Sequence, residues 1–348
     1  MTEHPPTEPR RPANARPGMK EVADRAGVAI SSVSRVLSGH RDVSAVMRNR
    51  VLDAVAALGY EPDILAQSMR TGETMTIGFI VSDISNPLIS EIALGAEIVL
   101  REAGYSMIVV NSMNQPTLEL EHISLMNRRR VDGLLLSLAD ENYPTLLGTL
   151  DRLAVPIVLV DRHLKSFEPV QMVLSDHRAG MEEALERLQS LGHRSIALIN
   201  GNLAVRPSRE RANTVRRFAK AHAAVSCSVR SGSFTKEFGY SAARDLLTDA
   251  NPPTAIIAGS NQILVGVLKA LRELNLEVPS DVSLITCDDS PLAEFMSPAL
   301  DTIKRDPQQL GSEAASTLMT LLRGETTEPV MLPTYFEQRA SSAPPPQR

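Results

Sequence analysis

The sequence predicts an α/β protein whose body is two doubly wound parallel-sheet subdomains, preceded by a small all-α domain. Three observations predict it. From Thr76 onward apolar, β-rich runs alternate with amphipathic helical segments, residues 19–59 hold three short helical patterns and no strand, and 348 residues suffice for two or three compact units.

Residues 1–17 are rich in Pro, Arg and small polar residues without periodicity, and are expected to form a disordered tail. Met19, Val22, Ala23 and Ala26 make an i, i+3, i+4, i+7 stripe that ends at Gly27, a helix stop. A second helix is expected from Ala29 or Ile30 through Val33, Val36 and Leu37 to Gly39. A third carries Val46, Val51, Val55 and Leu58 and stops at Gly59. Past Pro62, residues 63–70 are helix-compatible but lack a well-formed apolar face. Strand-like runs follow at 76–81, 107–110, 133–138, 157–160, 172–174, 196–199, 255–258 and 282–285, with helices between them such as 89–103, 179–191, 210–223 and 263–274. Continuous apolar strands, each followed by a helix, mean parallel sheets buried on both faces and joined by right-handed crossovers. So many strands suit two sheets better than one.

Composition narrows the function. Apolar residues at 43% and charged residues at 22% exclude wholesale disorder and a fibrous repeat. Two cysteines, Cys227 and Cys287, form neither a disulfide framework nor a CxxC pair, which fits a reducing cytoplasm. No secretory h-region follows the N-terminal basic residues and no long uncharged apolar run occurs, so no membrane partner is expected. The net charge of −5 is uneven: residues 1–72 carry 10 Lys+Arg against 8 Asp+Glu, and the rest carry 26 against 33. A near-neutral to basic head on an acidic body fits a DNA-contacting module joined to something else.

A doubly wound sheet binds ligands beyond the carboxyl ends of its strands. The runs exit into Ser82-Asp83, Asp161-Arg162, Ser175-Asp176, Asn200-Gly201, Ser260-Asn261 and Asp288-Asp289, a polar set suited to hydrogen-bonding a small polar molecule. Taken singly, each of these residues serves equally well as a cap for the next helix.

Residues 19–39, MKEVADRAGVAISSVSRVLSG, have the form of a helix-turn-helix. Gly27 suits a turn that needs positive φ, and Ala23 is small enough for two helices to cross closely. Burying Val33, Val36 and Leu37 leaves Ile30, Ser31, Ser32, Ser34 and Arg35 outside. Short hydroxyls for phosphates and an Arg able to pair bidentately with guanine are what a DNA-reading helix needs. By pattern alone a plain helical bundle fits as well.

The segments AGVAISSVSRVLSG and VSAVMRNRVLDAVAALGYEPDILAQSMRTG resemble the start of a lactose-repressor/galactose-repressor (LacI/GalR) family transcription regulator. TIGFIVSDISNPL, VDGLLLSL, PIVLVDR, LGHRSIALING, SRER, VPSDVSLITCDDS and LDTIKRD extend the similarity in order over about 18–340. The resemblance implies a body like the type I periplasmic binding proteins, a helix-turn-helix domain at 18–62, a hinge helix and linker at 63–74, and an effector-binding and dimerisation domain at 75–340. Its first subdomain would span about 75–163 and 304–325 and its second about 164–303 and 326–340, with a disordered tail at 341–348. It further implies a cytoplasmic, nucleoid-associated repressor that binds a palindromic operator as a homodimer and answers to a sugar, sugar acid or related metabolite, without cofactor or metal. The alternative is an intracellular small-molecule-binding module that does not bind an operator.

Carried over residue by residue, the resemblance assigns DNA contacts to Ala29, Ile30, Ser31, Ser32 and Arg35, and a minor-groove wedge to Ala66 and Met69. It assigns the effector to Ser82, Asp161, Arg162, Arg211, Phe234, Ser260, Asn261 and Asp288. Asp161 and Asp288 would accept from ligand hydroxyls, Arg211 would fork onto a hydroxyl pair or carboxylate, Phe234 would stack on a ring face, and Arg162 would neutralise Asp161. The chain departs from the family at Gly18, where Thr is usual, and at Ala29, where Ser usually caps the recognition helix. Ser38, Leu88, Ser260-Asn261 and Thr286-Cys287 differ as well. The last three touch the cleft and put a standard sugar specificity in question, as does an aromatic content of 3% without Trp.

An enzyme finds little support. The chain has no GxGxxG after a strand, no GxxxxGK[ST] loop, no GxSxG elbow and no HExxH. Asp288 and Asp289, adjacent on one strand, would face opposite ways and could not share acid/base work.

Overall fold

The structure, a computed structural model, describes residues 17–37, 40, 42–60, 72–165 and 170–347. They form two compact units that part between Thr74 and Met75. The expected N-terminal tail up to residue 16, Ser38, and residues 61–71 with the expected hinge helix, Ala66 and Met69 lie outside the described residues.

The first unit holds α1 (Met19–Ala26), α2 (Ile30–Leu37) and α3 (Ala45–Leu58). Val22, Ala23, Ala26, Val33, Val36, Val51, Ala54 and Tyr60 are its core. The expected stripe of α3 needs a correction: Val46 is 71% exposed. The inward positions are Met47, Val51, Ala54 and Leu58 at helical spacing, which places Val46 one residue, or about 100°, off the packed face. Gly27 ends α1 at φ 63°, the left-handed conformation that only glycine takes without strain. Arg50 of α3 crosses to this end and donates from Nη2 to the carbonyls of Ala26 at 2.5 Å and Gly27 at 3.3 Å, so a cation neutralises the C-terminal pole of α1.

The second unit begins with β1 (Thr76–Val81), α4 (Pro87–Glu102), β2 (Ser106–Asn111), α5 (Pro116–Arg129), β3 (Gly133–Leu136), α6 (Leu146–Leu150), β4 (Ile157–Val160) and β5 (Gln171–Ser175). It continues with α7 (Ala179–Ser190), β6 (Ser195–Asn200), α8 (Arg206–Ala221), β7 (Ser226–Ser231), α9 (Lys236–Leu247), β8 (Ala255–Ala258), α10 (Asn261–Glu273), β9 (Ser283–Cys287), α11 (Pro291–Phe295) and β10 (Asp301–Lys304). Last come α12 (Pro307–Leu322), β11 (Val330–Leu332) and β12 (Tyr335–Glu337).

Two six-stranded sheets result, ordered β11-β5-β4-β3-β1-β2 and β12-β10-β9-β8-β6-β7. All neighbours are parallel except β12, which runs antiparallel to β10 with Ile303 opposite Phe336. Strands such as β4 and β8 are buried throughout because helices cover both faces. On each sheet one helix pair meets through glycines. A Cβ on Gly311 of α12 would lie 1.9 Å from the Ile92 carbonyl of α4, and one on Gly266 of α10 would lie 2.2 Å from the Lys236 carbonyl of α9.

The expected subdomain limits shift. β5, placed in the second subdomain from sequence, pairs with β4, and β11 pairs with β5, so 171–175 and 330–332 belong to the first sheet. The chain therefore crosses between sheets after β5, after β10 and after β11. The expected disordered tail at 341–348 also needs correction. Ser341 is fully buried, its Oγ donating to the Leu284 carbonyl at 2.5 Å and accepting from the Asp301 amide at 2.7 Å, and Ala343 N donates to Ser283 Oγ at 3.0 Å. Small hydroxyl side chains here act as extra ladder bonds on strands whose own edge is in use.

Candidate functional site

In the first unit the candidate surface is the outward side of α2. Val33 and Val36 face the core, Ala29, Ile30, Ser31 and Arg35 are exposed, and Ser32 and Ser34 are half-buried. Arg35 lies 3.9 Å from Asp42, both side chains well exposed, a pairing worth little in water. At Gly18 the missing Thr is compensated from the other side: the Glu21 carboxylate accepts from Gly18 N at 2.8 Å. At Ala29 only the carbonyl serves the helix, accepting from Ser32 N and Val33 N. Among the described residues the N–H groups of Ile30 and Ser31 have no acceptor, so this helix end presents free donors and the positive pole of its dipole.

In the second unit one cavity lies between the carboxyl ends of the two sheets. Ser82, Asp161, Arg162, Arg211, Phe234, Ser260 and Asp288 line it, seven of the eight effector residues expected from sequence. Asn261 does not: it is buried, and its Nδ2 turns 3.5 Å toward Asn86 Oδ1. Ser260 does two things at once, lining the cavity and capping α10 by accepting from Ile263 N at 3.3 Å.

Asp161 and Asp288 follow β4 and β9 and both take positive φ, 54° and 68°, a conformation uncommon outside glycine and one that turns their carboxylates into the cleft. Both carboxylates are already engaged by the protein. Asp161 accepts from Ser175 N at 3.1 Å, His177 Nε2 at 2.9 Å, Arg206 Nη1 at 3.4 Å and Arg305 Nη1. Asp288 accepts from Arg305 Nε at 2.7 Å and pairs with Arg211 Nη2 at 3.5 Å. Arg305, on the crossover after β10, thus links the carboxylate from one sheet to that from the other. Sequence reading misses it, although it stands in the segment LDTIKRD, because the four residues of β10 leave no apolar run to mark a strand exit there.

These contacts overturn the role expected for Arg162. Its Nε donates to the Leu138 carbonyl at 2.6 Å and its Nη1 to the Asp161 carbonyl at 3.0 Å, so it braces loops and leaves the Asp161 carboxylate to others. Arg211 Nη1 donates to the Gly259 carbonyl at 2.7 Å. Asp289 faces away from Asp288 and pairs with Arg339 at 2.8 Å and Lys304 at 3.1 Å.

The electrostatics follow from burial opposed by neighbours. Burial alone would raise the Asp161 carboxyl, but His177, Arg305 and Arg206 hold it well below the usual range. Asp288 is held down likewise by Arg305 and Arg211. Burial pushes His177 down to about 4, so at neutral pH its uncharged ring donates to Asp161. Glu119, which accepts from Ala139 N at 2.7 Å, is pushed up to about 7 by burial. Burial likewise raises the Cys287 thiol, to about 11, so it is no nucleophile. Among the described residues no group of three or more His, Cys, Asp or Glu could hold a metal ion, and no helix is long and apolar enough to cross a membrane.

The lips of the cleft are also tied. Glu141, after β3, accepts from the Arg206 amide at 2.7 Å and from Arg209 Nη2, while Gln262 Nε2 reaches Ser85 Oγ at 3.3 Å. The space left inside is about 50 Å³, well under the roughly 300 Å³ at which small-molecule pockets begin. The cleft is closed around its own guanidinium.

Known proteins show the same organisation. The profile described as bacterial regulatory proteins, lacI family, matches residues 18–63, and the one described as periplasmic binding protein-like domain matches residues 185–342. The ribose operon repressor of Escherichia coli (strain K12) is 32% identical over 330 residues, covering 94% of this chain and 97% of that protein. The HTH-type transcriptional repressor PurR of Actinobacillus pleuropneumoniae serotype 3 is 31% identical over 315 residues, 89% of this chain and 92% of its own. Among solved structures, a Lac repressor dimer bound to operator and the anti-inducer ONPF superposes with a TM-score of 0.83 at 24% identity, covering 94% of this chain and all of that one. A complex of the transcriptional regulator CelR with cellobiose has a TM-score of 0.70 at 32% identity, again over 94% of this chain and all of its own.

Proposed function

Because the chain belongs to the LacI family of bacterial regulatory proteins, we propose that it is a transcriptional repressor whose homodimer binds a palindromic operator and answers to a small polar effector in the cleft of its body. It is a DNA-binding regulator and not an enzyme. The observation that carries the reading is α2: held by Val33 and Val36, it offers Ile30, Ser31 and Arg35 to solvent, with Ser32 half-buried, beside N–H groups that have no acceptor among the described residues. Ala29, with no hydroxyl to occupy those donors, leaves them for phosphate oxygens, as helix N-termini do in other DNA-binding proteins. Arg35 reads a guanine, and Ala66 and Met69 enter the minor groove, where an apolar wedge unstacks and bends the duplex.

In the body, Ser82, Asp161, Arg162, Arg211, Phe234, Ser260 and Asp288 surround the effector, with Asn261 supporting the wall through Asn86. The relatives support this assignment: one structure holds cellobiose, and that of a LacI family regulator from Enterococcus faecium holds ribose. An effector that changes the angle between the subdomains changes the spacing of the two hinge segments in a dimer, and with it operator affinity. The protein acts in the cytoplasm, on the nucleoid through its operator.

In vitro selection from random duplexes with the full chain tests the reading. The expected result is one enriched site with two-fold symmetry, bound with an affinity that falls steeply with salt. Failure to enrich any site, or a site lacking symmetry, refutes it.

A further inference from the structure

The hydrogen-bonding capacity of the cleft leans toward donors. The four acceptor positions of Asp161 are filled by Ser175 N, His177 Nε2, Arg206 Nη1 and Arg305 Nη1. Asp288 is engaged by Arg305 and Arg211, and Ser175 Oγ accepts from Arg305 Nη1 at 3.1 Å. A ligand hydroxyl donating to Asp161 must displace a guanidinium, whereas Asp288 Oδ2, 3.5 Å from Arg211 Nη2, can still accept. Donors remain in greater number. Arg305 Nη2, Arg211 Nε and Arg162 Nη2 have no partner among the described residues, and all three side chains line the cavity.

Charge points the same way. Guanidiniums of Arg162, Arg211 and Arg305 line this volume, and Arg206 reaches Asp161 from beside it, against the carboxylates of Asp161 and Asp288 within and Asp83 at the mouth. Glu141 and Glu119 act on Arg162, which leaves Arg211 and Arg305 as the cations offered to a ligand. A guanidinium N–H that has no protein acceptor makes its strongest hydrogen bond to an anionic oxygen. Among the described residues Phe234 is the one aromatic side chain in the lining, which offers a neutral sugar little ring-stacking area.

We propose that the effector carries an oxyanion, a carboxylate or a phosphate, and that Arg305 is the residue that selects it. This rests on the reading of the cleft as the effector site. Arg305 holds the two carboxylates with Nε and Nη1 and keeps Nη2 for the ligand, so the group that joins the sheets is also the group that recognises charge.

Calorimetric titration of the full chain with matched probes tests it: ribose, ribonate and ribose 5-phosphate, then glucose, gluconate and glucose 6-phosphate, and galactose, galactonate and galactose 6-phosphate. At least one acid or phosphate should bind ten-fold or more tighter than its neutral parent, and which of the two does so identifies the oxyanion. Arg305→Gln should weaken that binding thirty-fold or more, and Arg305→Lys should keep part of it. Neutral sugars binding as tightly as their acids, or no acid or phosphate binding at all, overturns the proposal on the wild-type chain without recourse to a variant. An acid that binds Arg305→Gln as it binds wild type also overturns it. If an acid binds and Phe234→Ala leaves its affinity unchanged, the cleft is not the effector site and the functional reading fails with the proposal. If Phe234→Ala weakens binding while neutral and acidic probes remain equal, only the charge assignment fails.

Discussion

The head and the body put their functional side chains to opposite uses. In the head, Ile30, Ser31 and Arg35 stand outside a core completed by Val22, Val33, Val36 and Val51. In the body, Asp161, Arg211 and Asp288 are buried, and Arg305, its side chain 6% exposed, ties the first to the last. The head's recognition surface is laid over a finished fold, whereas the body's is part of what holds the two sheets together. A substitution in the first should therefore change binding alone, and one in the second should change binding and folding together.

The largest effect that would sharpen this contrast is Asp161→Ala. It strands Arg206, Arg305 and His177 without their carboxylate, and breaking a buried pair in this way costs about 3–5 kcal/mol. Urea unfolding of the body should show the loss, and an unchanged midpoint would break the comparison. Arg35→Ala is its counterpart in the head: operator affinity should fall by about 1–3 kcal/mol with the melting curve unmoved. Gly27→Ala tests whether the head has any position that behaves like the body. At φ 63° the new Cβ would lie 2.6 Å from Arg50 Nη2, so the head should lose about 1–2 kcal/mol and operator binding should decline with it.

The smallest effect concerns pH. Glu119, raised to about 7 in the fold, gives stability that is complete below its unfolded value of 4.5 and is lost as pH rises through 7. His177, lowered to about 4, gives stability that is complete above 6.5 and is lost as pH falls toward 4. Between 4.5 and 6.5 the two slopes oppose, and the wild-type body should be nearly flat. Glu119→Gln removes one of them, so its stability should drop by about 2 kcal/mol from pH 7 to pH 5. Thermal melts at the two values check this, and a flat variant would remove His177 from the account.

Legibility divided along the same line. The three head helices and strands such as β1, β4 and β8 were readable because burial on one or both faces leaves a periodic or continuous apolar record. β7, SCSVRS, left none, being a partly exposed edge strand, and β10 to β12 have only three or four residues each. The resemblance located Asp161, Arg211 and Asp288, but a sequence states which charges are present and not which of them satisfy one another. Hence a sequence reading leaves the two carboxylates open to ligand hydroxyls, whereas in the fold Arg305 lies on both and His177 on Asp161. The 341–347 segment misled for a similar reason: its composition, small residues and Pro, is that of a tail, while its hydroxyls are ladder bonds.

The three crossings between sheets also govern how the body can be made. β11 pairs with β5, more than 150 residues earlier, and Thr334 Oγ1 donates to the Asp176 carbonyl 158 residues away. As the chain emerges during synthesis, the first sheet has β1 to β5 early but waits for α12 and β11, and the second waits for β10, β12 and the serines at 341–342. Neither subdomain can finish until the chain has passed residue 330, and a stop codon anywhere near residue 300 leaves both open at once rather than sparing the half already made.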